Sequence, residues 1–368
     1  MKVIICGPLL SEELEMQLAA ASPAAGKFLR NLKEGLEENG IETETISFLT
    51  IPGAKALTDK QLKEEGITYI SKSRWLLDSL HRYHQLIYEY ANREDIVLFY
   101  NYKYTEWGVL SRLRRKGVKC VLVLADHTGA GELNHPIRKF MAYRNEKAYR
   151  QFSHVILLSA KAGSLVNPKA KQTIIEGGIR MRDYLDMLPP RGSRPVKIMY
   201  AGTLSPVTGV DILLRAMKLI EEQELELYIS GRGELEEEVL RKAEEDKRIK
   251  PVGFISNEEY YQLLGKMDIV VNPRNMDFEQ NQNNFPSKVL EYLASGRMVI
   301  STRFPGWEQF EENFCFYHQG EEELAEKIKT VIKLSSEVYE KCFYKNREAA
   351  LGYGWKEQAG KILELVKK

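Results

Sequence analysis

Lys288 and Glu291 stand three residues apart in NNFPSKVLEYLASGRMVIST, residues 283–302, where a polar loop passes into a helix-like run and then into a short apolar strand. A carboxylate can accept two hydrogen bonds from a sugar diol. An ammonium about one helical turn earlier, near the amino end of the helix, can meet a diphosphate. Ser287 adds a hydroxyl and a backbone N–H. The plainer reading is an i,i+3 surface pair worth about 0.2–0.5 kcal/mol. The functional reading is favoured because the pair follows Phe285 and Pro286 on a loop and leads into a run built for burial.

The elements that must position such a pair are legible as apolar runs of strand length: VIIC (3–6), IVLFY (96–100), CVLVLA (120–125), HVILLS (154–159), KIMYAG (197–202), LELYISG (225–231), DIVVNP (268–273) and RMVIST (297–302). Segments of helical period lie between most of them. In GKFLRNLKEGLEENG (26–40), Phe28, Leu29, Leu32 and Leu36 share a face and Gly40 ends the run. Alternation of this kind predicts parallel α/β sheets covered on both faces. MLPPRGSRPV (187–196) interrupts it with three prolines and a glycine, which puts a boundary there: residues 1–188, then 189–350, with 351–368 a terminal helix that could pack back on the first domain.

Ligands of open parallel sheets bind beyond the carboxyl ends of the strands. In the second half those ends carry GTLSPVTG (202–209), GRGE (231–234), GFISN (253–257) and NNFPSK (283–288). Glycine there lets backbone N–H groups approach a phosphate or a base closely, and the following helix ends add partial positive charge.

The order FPSK, VLEYLASG, apolar strand resembles the donor site of retaining glycosyltransferases of family 4. The resemblance implies a GT-B fold: two facing, Rossmann-like, doubly wound domains with a donor/acceptor cleft between them. The family pattern is Glu, Gly, Phe, Gly and, after four residues, a second Glu. Phe285 and Glu291 match it, while Asn283 occupies the place of the first Glu; Asn284, Pro286 and Ser287 join the expected nucleotide-sugar contacts. The resemblance thus gives Glu291 the nucleotide ribose and the Asn283 position the sugar hydroxyls. IMYAGTLSPVTGVDILLRAM resembles the family's phosphate loop, so Gly202, Thr203, Thr208 and Gly209 join the expected site. Thr203 and Thr208 replace a usual Arg and Lys. Lys288 would then supply the missing charge, with Arg232 and Arg274 in reserve. Gly231, Arg232 and Gly233 fall where the family has Gly-x-Gly, and Gly253, Phe254 and Ile255 match the segment that contacts the base.

In the first half the same resemblance places Gly26, in SPAAGK (22–27), on the acceptor side. It makes His127, after CVLVLA and beside Asp126, the candidate for a sugar contact or a catalytic role. His135 reads as a loop residue, and His81 and His84 as plain helix residues. No Asp-x-Asp or other metal-binding motif is present, so the expected site holds no metal and needs no cofactor beyond the nucleotide-diphosphate sugar as co-substrate. HPIRKFMAYRNEKAYRQF (135–152) interleaves cations with Phe140, Met141, Tyr143 and Tyr149 in a pattern that suits an anionic leaflet; an ordinary charged helix face is the alternative.

Composition narrows the classes. A net charge of +1 argues against a nucleic-acid binder. Residues up to about 190 carry roughly five more basic than acidic groups and the rest roughly four more acidic, so the first half is the one suited to an anionic partner. Cys6, Cys120, Cys315 and Cys342 form no C-x-x-C pair and read as reduced core residues of a cytosolic protein. No run reaches the ~18 apolar residues of a membrane span. VIICGPLL lacks the G-x-G-x-x-G turn of a nicotinamide enzyme.

The expectation is a metal-independent retaining transferase in the cytoplasm, or at the inner face of the membrane. It would move a sugar to a saccharide or lipid-linked acceptor of bacterial surface polysaccharide synthesis. Two other classes stay open: a different GT-B chemistry, inverting transfer or nucleotide-sugar epimerisation, and a non-catalytic nucleotide-binding pseudo-enzyme, raised by Thr203, Thr208 and Asn283.

Overall fold

Successive residues of Lys2–Cys6 (β1) face two different layers of helices, which is why the strand is an unbroken apolar run. Val3 and Ile5 pack with Leu29, Leu32 and Leu36 of the helix Pro23–Glu38 and with Trp355 and Ile362 of the helix Trp355–Lys367. Ile4 and Cys6 pack with Tyr83 and Ile87 of Leu76–Tyr90 and with Val109, Leu110 and Leu113 of Trp107–Lys116. Each buried aliphatic side chain of this kind contributes about 1.5–3 kcal/mol.

The computed structural model describes residues 1–11, 23–49, 63–64, 66–71, 76–125, 135–158, 160–283 and 285–367. The chain forms two units, Met1–Gly178 together with Trp355–Lys368, and Ile179–Gly354. In the first, β1 is followed by β2 (Glu42–Leu49), β3 (Lys63–Glu64), β4 (Ile67–Ser71), β5 (Ile96–Tyr100), β6 (Lys119–Leu124), β7 (His154–Leu157) and β8 (Lys171–Ile174), in the spatial order β3-β4-β2-β1-β5-β6-β7-β8. Among the described residues only the β3/β4 pair of this sheet is antiparallel. The second unit holds β9 (Val196–Ala201), β10 (Leu225–Ser230), β11 (Ile249–Gly253), β12 (Ile269–Asn272), β13 (Met298–Thr302) and β14 (Phe314–Tyr317), all parallel, in the order β11-β10-β9-β12-β13-β14. That is the doubly wound order, with its reversal between β9 and β12.

The chain passes between the units at 178/179 and 354/355, earlier than the proline-rich stretch suggests. The stretch is pinned to the second unit. Asp268 accepts from Gly192 N–H (3.1 Å) and Lys197 N–H (2.9 Å), Arg297 donates to Leu188 O (2.9 Å), and Arg347 donates to Tyr184 O (2.6 Å). The terminal helix Trp355–Lys367 packs on Pro23–Glu38 in the first unit, where Phe28 meets the Trp355 ring edge-on at 5.2 Å and Lys119 Nζ donates to Val366 O.

Candidate functional site

The reversal in the second sheet brings together the loop Gly202–Gly209, which follows β9, and the chain from Pro273, which follows β12. Neighbouring loops are stitched to the first of these. Gly202 N–H donates to Ser230 O (3.0 Å), Leu204 N–H to Arg232 O (3.0 Å), Gly231 N–H to Gly253 O (2.9 Å) and the Ser230 hydroxyl to Gly253 O (3.0 Å). A Cβ on Gly231 would overlap Gly202 O, so only glycine lets these backbones lie so close. Gly209 turns the chain into the helix Val210–Lys218 at φ 75° beneath Pro273 O.

The two threonines divide in role. Thr203 is exposed, while its carbonyl takes the Tyr200 hydroxyl at 2.6 Å. Thr208 Oγ1 lies 2.6 Å from that carbonyl and 2.9 Å from Ser205 O, so its hydroxyl braces the loop from within. Burial pushes the Tyr200 phenol up to about 12, which keeps it a donor at neutral pH.

The helix Lys288–Ser295 buries Val289, Leu290, Tyr292, Leu293, Ala294 and Ser295 and stops at Gly296, φ 71°. Ahead of it Pro286 is buried and Phe285 packs on Phe304 and Phe310, with ring centres 5.6 and 6.1 Å away. Lys288 Nζ lies 2.9 Å from Glu291 Oε2 and 3.9 Å from the centre of the Tyr260 ring. The two side chains are 35% and 18% exposed, so the pair is sheltered at the helix start and does not project into bulk solvent. Ser287 is exposed and makes no capping bond. Burial, and then the Glu291 carboxylate, push the Tyr260 and Tyr184 phenols well up. Arg232 stacks on the ring of exposed Phe254 at 4.5 Å, while Ile255 packs inward beside the buried tyrosines. Gly253, at φ 76°, has open space around its Cα.

The second unit therefore gathers Gly202, Thr203, Thr208, Gly209, Gly231, Arg232, Gly233 and Gly253 on stitched loops, with Ser287, Lys288 and Glu291 on one helix start. Asn283 ends the short helix Glu279–Asn283. Asn284, Asp126 and His127 lie outside the described residues. Gly26 sits inside the first turn of Pro23–Glu38 and is buried, since the helix begins at Pro23 and not after the glycine. His135 precedes the helix Pro136–Tyr149, and His84 lies on Leu76–Tyr90 with its pKa lowered by burial.

Two residues that the sequence reading passed over brace the strand-end loops, Asn101 directly after β5 and Asn281 on the short helix Glu279–Asn283. Asn101, just after β5, takes φ 46° and accepts the Ala125 N–H at 2.9 Å, so it braces the residue before Asp126. An asparagine directly after an apolar strand tolerates that conformation and was the available signal. Asn281 is almost wholly buried and bonds across to the β9 loop, a role that no local pattern announces.

Residues 195–333 match the family model described as Glycosyl transferases group 1. The fold is that of the GT-B glycosyltransferases. Solved structures of similar architecture include sucrose-phosphate synthase from Thermosynechococcus elongatus (16% identity, 100% of this chain and 98% of that one, TM-score 0.67) and a glycosyltransferase from Rickettsia africae (17%, 100% and 98%, 0.71). A third is HepE of Anabaena in complex with UDP (16%, 100% of each chain, 0.69). No curated protein matches the chain by sequence. The matched residues lie within the second unit, which carries Lys288 and Glu291.

Proposed function

We propose that the protein is a retaining, metal-independent glycosyltransferase that moves a sugar from a nucleotide-diphosphate sugar to a hydroxyl acceptor. The observation that carries this is the sheltered Lys288–Glu291 pair at the start of a buried helix, within the stretch that matches group 1 glycosyltransferases and beside the sheet reversal. Glu291 accepts from the ribose hydroxyls. The Gly202–Gly209 backbone, Ser287 and Lys288 face the diphosphate, whose charge grows as the bond from the anomeric carbon to the phosphate oxygen breaks. The acceptor oxygen bonds to the anomeric carbon on the same face, and its proton passes to the departing diphosphate. HepE is in complex with UDP, and in a second structure with UDP and glucose, so uridine nucleotides are the first donors to test.

The acceptor is a saccharide or lipid-linked intermediate of surface polysaccharide synthesis, reached at the cytoplasmic face of the membrane. An exposed helix face supports this part. Ile137, Phe140 and Met141 are 64%, 58% and 42% exposed beside Arg138, Lys139 and Arg144.

Glu291→Ala and Lys288→Ala should each lower donor affinity or turnover tenfold or more, since contacts to charged groups are worth ~1.5–3 kcal/mol. NMR of the product should show the donor's anomeric configuration kept, with turnover unchanged by EDTA. Wild-type kinetics in both variants would defeat the site. An inverted product would move the chemistry to another GT-B class. Donor binding without turnover across an acceptor panel would leave the pseudo-enzyme reading.

A further inference from the structure

The diphosphate proposed above needs cations, and the β9 loop offers none at Thr203 or Thr208. The sequence offers Lys288 on its helix start and Arg232 and Arg274 on neighbouring loops. Lys288 already has Glu291 at 2.9 Å, and Arg232 is exposed and stacked on Phe254. Arg274 differs from both. It follows β12 at the sheet reversal, is largely buried, and pairs with no carboxylate among the described residues.

Among the described residues its one hydrogen bond is from Nη1–H to Asn281 Oδ1, 2.9 Å away. Asn281 has no freedom to turn round. Its Nδ2 donates to Val207 O and Asn275 O, both at 2.7 Å, so the amide oxygen must face the guanidinium. The remaining guanidinium N–H groups have no hydrogen-bond partner among the described residues. The backbone beneath is equally committed: a Cβ on Gly209 would overlap Pro273 O, so Pro273 and Arg274 lie against the start of the helix Val210–Lys218. A helix amino end and an uncompensated cation thus share the crevice, next to the phenols of Tyr200 and Tyr292, whose hydroxyls tie down Thr203 O and Ala201 O. Burying a lone cation is costly, and an anionic ligand would offset that cost.

We propose that Arg274, held in place by Asn281, is the principal cation that meets the donor diphosphate, in the role left open by Thr203 and Thr208. Arg274 is a catalytic residue in this scheme and Asn281 a positioning residue. The proposal rests on the donor site of the preceding section and deepens it.

The test is calorimetric titration of the full chain with UDP, GDP, ADP, CDP and dTDP and with the matching nucleosides, after circular dichroism has shown each variant folded. Arg274→Gln should weaken the bound diphosphate at least tenfold and leave the nucleoside within twofold. Arg274→Lys, which keeps the charge but loses the planar fork, should weaken it at least threefold and serves if the glutamine variant does not fold. Asn281→Ala should weaken the diphosphate too, but add nothing on top of Arg274→Gln; a purely structural amide would add its own loss. Unchanged diphosphate affinity in the Arg274 variants, or equal losses for diphosphate and nucleoside, overturns this proposal alone. A wild-type chain that binds no nucleoside diphosphate overturns the donor site and this proposal with it.

Discussion

Glu106 shows how far a single environment can move a carboxyl group. It sits on the turn after β5, and burial pushes it up to about 7, against the opposing pull of the Lys103 N–H, which donates to Glu106 Oε2 at 2.7 Å, and of the Lys103 charge. Because the folded pKa lies above the unfolded value, the folded chain holds the proton more tightly. Its stabilising contribution is complete below the ordinary carboxyl pKa and is lost as pH rises through about 7. The side chain keeps some solvent contact, so screening limits the effect to on the order of 1 kcal/mol. Glu106→Gln should therefore flatten the decline in urea midpoint between pH 5 and 8. A wild-type slope in the variant would remove Glu106 as its source. At this scale the sequence reveals Lys288 and Glu291 well, because i,i+3 on a helix start is itself geometry. It does not reveal Thr208, whose hydroxyl could equally face ligand or loop until the loop is folded.

Among elements, Gly209 carries the clearest demand. It combines φ 75° with a backbone oxygen where a Cβ would stand. Gly209→Ala should cost about 2 kcal/mol or more, from strain of ~1–3 kcal/mol together with the displaced Pro273 backbone. Gly253→Ala, with the same sign of φ but open surroundings, should cost less. Thermal unfolding of the two variants gives the comparison, and equal losses would show that the close approach to Pro273 contributes nothing. All eight apolar runs are strands, since period and burial both follow from parallel sheets covered on two faces. β2, ETETISFL, escapes notice because Thr45 and Ser47 are polar and yet buried inside the sheet. β8 escapes because it is a sheet edge whose residues are mostly exposed. The proline-rich stretch misleads on the boundary because Asp268 and Arg297, distant in sequence, pin it to the second unit.

For the whole molecule, a net charge of +1 conceals a first half richer in cations, and the helix Pro136–Tyr149 gathers several of them on an apolar face. Ile137, Phe140, Met141 and Arg144 recur at i, i+3, i+4 and i+7 and so share one side, while Ala142, Ala148 and Tyr149 are the residues it buries. Exposed aromatic and aliphatic groups at helical spacing, rimmed by cations, fit the interface of an anionic bilayer, where each Lys or Arg adds about 1 kcal/mol. The protein should cosediment with phosphatidylglycerol vesicles far more than with phosphatidylcholine vesicles, and 0.5 M salt should release it. Arg138→Glu with Lys139→Glu should weaken that binding at least tenfold. Phe140→Ser should weaken it severalfold at any salt concentration, since it removes buried apolar area and leaves the charge alone. Transfer to a soluble acceptor should be unaffected in both, because neither change touches the donor site. Equal partitioning onto neutral and anionic vesicles, or none onto either, would assign this face to some purpose other than a charged membrane.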